Sequence, residues 1–206
     1  MLPVPQARTG LSRLAMIAAT VLLAAPLSTA HAQQSPTLTP ELSAARAGLE
    51  RYRDPVMAVH DGYLSTLGCV EYRQGLTEGA MQYVAGGMGV HFLNPQLIGP
   101  TLDPARPQVL IYEPVGDSLR LVAAEWFVPV PVAGEQRPAI FGHELEGPME
   151  GHAPIMPEGL HHYDLHVWLW KDNPAGVFSP TNPAVRCQAR GYSFNMQAPK
   201  MVGHQH

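Results

Sequence analysis

Alternation of apolar and polar positions is strongest over residues 160–170. One face of a strand there carries His162, Asp164, His166, Trp168 and Trp170, and the other carries His161, Tyr163, Leu165, Val167 and Leu169. The β-branched and aromatic content, and the turn-forming run Lys171-Asp172-Asn173-Pro174-Ala175-Gly176, favour a strand over a helix.

Upstream, the period lengthens to that of a helix. Thr39-Pro40-Glu41 is a helix start, with an N-cap hydroxyl, proline in the first turn and an acid beside it. Leu42, Ala45, Leu49 and Tyr52 then share a face. Asp54-Pro55 repeats the signal, and the pattern predicts a second helix with Val56, Val59, Tyr63 and Leu67 on its apolar face, closed by Gly68. His60 borders that face and reads as a packing residue.

From about residue 80 the pattern predicts strands. Met81 to Val84 leads into the cluster Gly86-Gly87-Met88-Gly89, which marks a bulge or a close backbone approach, and then into Val90 to Leu93. Gln108 to Glu113 and Leu119 to Val128 form a hairpin about the turn 114–118. Leu119, Leu121, Ala123 and Phe127 are expected to share a face with Glu125. An acid there is costly unless it is paired, neutral or bound to metal. Ala139 to Phe141 reads as a short strand, 142–159 as loop, and 174–206 as an irregular C-terminal tail. The predicted architecture is α+β and loop-rich: two N-terminal helices packed on a mostly antiparallel curved sheet or partial barrel.

Composition narrows the setting. Residues 1–32 read as a secretory signal peptide: Arg8 and Arg13 precede the apolar run Leu14 to Leu27, and Ala30-His31-Ala32 supplies a small-x-small cleavage pattern. The run is shorter than the roughly 20 apolar residues of a spanning helix, so no membrane span is expected after cleavage. Residues 33–206 then form a single globular domain, periplasmic or secreted. The net charge of −4 argues against nucleic acid as a partner. With 21 prolines and 19 glycines the chain is rich in turns. Two cysteines, Cys69 and Cys187, in an exported chain point to a disulfide bond.

The candidate chemistry follows from the histidines. Residues 160–170 hold His161, His162 and His166 around Asp164, and His91 and Glu125 fall on strands able to neighbour them. His91, Glu125, His162 and His166 are therefore the candidate ligands for one divalent transition metal, with zinc, copper and iron all compatible with imidazole and carboxylate donors. On a regular strand His162 and His166 are about 13 Å apart, so both reach one ion only if the strand bulges or if His162 lies where the chain is still bending out of Pro157-Glu158-Gly159; otherwise Asp164 joins one of them. His143, Met149, His152 and Met156 read as ordinary loop residues.

Two alternatives stand beside a metal protein or metal-dependent enzyme. One is a metal-free exported enzyme with His166 or His91 as a general base oriented by Asp164 or Glu125. No serine or cysteine nucleophile signature accompanies it. The other is a non-catalytic module binding a small molecule, glycan or protein on a face lined by Trp126, Trp168 and Trp170.

Overall fold

The computed structural model describes residues 38–134, 136–187 and 193–202. The signal peptide expected over 1–32 lies outside them, as do His204 and His206. Among the described residues no helix is long and apolar enough to cross a membrane.

Helix α1 (Pro40–Leu49) starts where Thr39 accepts a hydrogen bond from the Leu42 backbone N–H, at 3.3 Å. Helix α2 (Pro55–His60) starts where Asp54 accepts from the Val56 N–H, at 2.9 Å. The second helix is shorter than its apolar spacing predicts. It ends at His60, and β1 (Leu64–Tyr72) occupies the rest of the segment, so Val56 and Val59 are left 69% and 53% exposed. Gly62, at φ +93°, makes the reversal between helix and strand.

Among the described residues the main sheet has seven strands, in the order β11-β1-β4-β5-β6-β10-β9. These are β1, β4 (Gly86–Leu93), β5 (Val109–Val115), β6 (Ser118–Pro129), β9 (Glu146–Met149), β10 (His162–Val167) and β11 (Ser193–Asn195). Neighbours are antiparallel except β1 and β11, which are parallel. The sheet does not close into a barrel. Two small hairpins, β2 (Leu76–Glu78) with β3 (Met81–Tyr83) and β7 (Ala139–Ile140) with β8 (His143–Glu144), stand apart from it. The tail read as irregular thus contributes β11, and the loop read over 142–159 contributes β8 and β9.

One side of the sheet is apolar. Val90, Phe92, Leu110, Tyr112, Trp126 and Leu165 pack there with Leu42, Leu49 and Ala58 of the two helices. The strands expose alternate side chains to the opposite side, and that side carries the polar residues discussed below. A bulge sets the phase of β6: Ile111 pairs with Ala123 but Tyr112 pairs with Leu121, leaving Val122 as the extra residue. Leu119 and Leu121 therefore join the helix-side core, not the face of Glu125 as simple alternation predicts.

Cys69 and Cys187 form a disulfide, with Cα atoms 5.2 Å apart. It joins β1, not the end of a helix, to the segment after the central strand. Gly87 accepts the close approach of that same segment, exchanging backbone hydrogen bonds with Asn182 at 3.2 and 3.0 Å. A Cβ on Gly87 would stand 2.6 Å from Val185.

Candidate metal centre

Three neighbouring strands and a fourth across one of them bring the histidines together. Glu125 of β6 is paired with His166 of β10 on one side and with Val109 of β5 on the other. His91 of β4 is paired with Ile111, so its side chain reaches the same face from the far side of β5. His91, Glu125 and His166 are 3%, 3% and 2% exposed.

One ligand atom from each of these three lies within 4.8 Å of the others. The carboxylate oxygen Oε2 of Glu125 is 3.6 Å from His91 Nε2 and 3.6 Å from His166 Nε2. That spacing is too long for a hydrogen bond. It suits an ion held about 2.1 Å from each donor, which separates neighbouring donors by roughly 3.4 Å.

His162 is not in this group. Strand β10 pairs with β6 in unbroken register from His162 to Val167, so His162 and His166 keep the two-repeat separation of a regular strand. Instead the Nε2 of His162 stands 3.3 Å from Asp164 Oδ2, while its Nδ1–H donates to the Leu160 carbonyl at 3.1 Å. Asp164 lies between the two histidines, with its other oxygen 3.8 Å from His166 Nδ1. That gap is too long for a hydrogen bond, so the Asp164 charge faces His166 Nδ1 without holding it.

His152 completes the polar face and was not expected there. The segment 150–160 folds over the sheet, tied down by Gln197, whose backbone N–H donates to the Ala153 carbonyl at 2.8 Å. Gly151 permits the fold, since a Cβ there would lie 1.9 Å from the Pro157 carbonyl oxygen. This buries His152 to 3% exposure, with its ring centroid 5.7 Å from that of His162. Glu146 of β9, also read as loop, pairs opposite Asp164.

Among the described residues, every buried side-chain nitrogen or oxygen without a hydrogen-bond partner belongs to His91, Glu125, His152, His162 or His166. Each such atom costs on the order of 1–3 kcal/mol. Their confinement to one patch calls for a specific explanation.

Electrostatics divide the cluster. Burial, reinforced by His166, holds His91 down to about 3, and burial takes His152 down to about 4. Burial pushes Glu125 up to about 7 against the pull of His166, and burial with the Asp164 charge lifts Glu146 to about 7. Burial works against a charged His166, but Glu125 and Asp164 outweigh it and raise the imidazole to about 9. Burial likewise opposes ionisation of Asp164, yet His162 and His166 hold it well below the carboxylate range. His91 is thus neutral and free to donate a lone pair at neutral pH.

No family model, curated protein or solved structure matches this chain. Two imidazoles and one carboxylate around a point could hold a metal ion.

The tryptophans do not form a common face. Trp126 is fully buried and donates to the Asp103 carbonyl at 2.8 Å, and Trp168, 3% exposed, donates to the Ser179 carbonyl. Trp170 packs on the helix side and donates to Glu50 at 2.9 Å. The strand ends at Val167, so alternation no longer governs where Trp170 points.

Proposed function

We propose that this chain is a metal-binding protein in which His91 Nε2, Glu125 Oε2 and His166 Nε2 hold one divalent transition ion. The observation that carries the reading is the convergence of three buried, unpartnered ligand atoms, with Glu125 Oε2 3.6 Å from each histidine Nε2. Zinc, copper and iron all accept this donor set, and three protein ligands leave at least one position for water or substrate, as in catalytic rather than structural sites. Asp164 is the charge behind His166, and His162 belongs with it rather than on the ion. Export through the leader over residues 1–32 fits the disulfide.

Elemental analysis of leaderless protein truncated after Val202, so that His204 and His206 do not contribute, tests this. One ion per chain is expected, and His166→Ala should abolish it. Absence of stoichiometric metal, with a melting curve unmoved by added zinc, copper or iron, would overturn the reading.

A metal-free reading has one observation in its favour. Asp164 lies between His162 and His166, and Glu125 lies beyond, so a protonated His166 would be flanked by two carboxylates. His166 would then act as a general acid or base beside Asp164. The same elemental analysis separates the two.

A further inference from the structure

Between the sheet and segment 150–160 lies a cavity of about 130 Å³ whose wall includes His91 and Glu125. The sheet supplies Leu93, Val109 and Phe127, and the covering segment supplies Ile155, Pro157 and Leu160. Besides His91 and Glu125, the one polar side chain on the wall is Thr66, and its hydroxyl is already committed to the His91 carbonyl at 3.0 Å. His166 is not on the wall, so a molecule in the cavity meets the cluster from the His91 and Glu125 side.

We infer that this cavity binds a small, uncharged, largely apolar molecule whose one polar atom faces His91 and Glu125. The size limit follows from the volume, since an apolar cavity of about 150 Å³ accommodates benzene. The charge limit follows from the walls. In the stripped protein an ionised ligand would give up its hydration against aliphatic and aromatic carbon, and the wall holds neither lysine nor arginine to partner an anion. The identity of the polar end rests on the metal reading; the cavity and its apolar walls do not.

The test uses 4-fluorophenol, neutral at pH 7, and the anionic 4-fluorobenzoate, each followed by fluorine NMR on zinc-loaded and on chelator-stripped protein. One saturable site per chain is expected for the phenol, with the benzoate at least about tenfold weaker on the stripped protein, where no ion can take its carboxylate. Ile98 also lines the cavity and is half-buried. Ile98→Trp should weaken the phenol at least about tenfold while leaving zinc content and melting unchanged, and Ile98→Phe serves if the larger side chain does not fold. Phenol binding that neither variant weakens, benzoate bound by the stripped protein as tightly as phenol, or no saturable phenol binding would overturn the inference. Phenol binding by protein that holds no stoichiometric zinc, copper or iron would remove the metal reading alone, and stoichiometric metal without phenol binding would remove the cavity inference alone.

Discussion

Glu113 and Glu125 lie on one face of the β5–β6 hairpin, at opposite ends, and are almost equally buried at 4% and 3% exposure. They are held in opposite ways. Glu113 accepts hydrogen bonds from Lys171 Nζ at 2.9 and 2.7 Å and from the Arg186 backbone N–H at 3.0 Å. Glu125 has His91 and His166 3.6 Å from its Oε2, and that oxygen has no hydrogen-bond donor. The first carboxylate is satisfied by the fold. The second is placed beside donor atoms that also lack partners, the arrangement expected where the missing partner comes from outside the chain.

Loading should produce the largest effect. Metal bound at a thousand times its Kd stabilises the native state by about 4 kcal/mol, which corresponds to a rise in Tm on the order of 10 °C. Differential scanning calorimetry of stripped and loaded protein measures it. A loaded Tm equal to the stripped one would place Glu125 in the same category as Glu113, a residue of structural use only.

Exchange of the two acids should then give crossed results. Glu113→Gln breaks a buried ion pair and should cost about 3 kcal/mol in a urea titration, at the lower end for such pairs because Lys171 is partly exposed, while metal content stays at one ion per chain. Glu125→Gln should remove the metal and cost the stripped protein less. Equal losses of stability, or loss of metal from Glu113→Gln, would erase the distinction between the two sites.

Asp164→Asn should lower metal affinity roughly 10- to 100-fold without removing a ligand, because it acts through the basicity of His166. Competition with a chromophoric chelator reads the change. An affinity within twofold of the parent would show that the 3.8 Å separation is too long to matter.

The smallest effect concerns pH. In stripped protein His166 has a folded pKa raised to about 9, so its stabilising contribution is full below the unfolded value near 6.5 and is lost as pH rises through 9. Glu125, raised to about 7, acts in the same direction. Metal binding requires both groups deprotonated and is favoured by the same rise. The stability gap between loaded and stripped protein should therefore widen from pH 6.5 to 9; a gap that narrows would argue for the metal-free cluster.

The alternation over 160–170 is realised in β10, where His162, Asp164 and His166 share a buried face. The hairpin was legible for the same reason, because period-two patterning and turn residues are local. The second helix was misread beyond His60, since Tyr63 and Leu67 fit a helical face as well as a strand, and local spacing does not distinguish them. His152 was illegible: its neighbours Gly151, Ala153 and Pro154 are loop-forming, and nothing local records that the segment folds over the sheet.

The sequence by itself determined the donor types, the strand that carries Asp164 and His166, and the cysteine pair that becomes the disulfide, because residue identity and short-range periodicity are properties of the chain alone. Only the tertiary structure decided which donors meet. Strand order places β4, β5, β6 and β10 side by side, register sets Glu125 opposite His166, and the bulge at Val122 rotates Leu121 away from them. Those choices depend on hydrogen bonding between segments far apart in sequence, as Glu125 is from His166, and they bring His91 into the same group across β5; no pattern within one segment encodes the pairing of another.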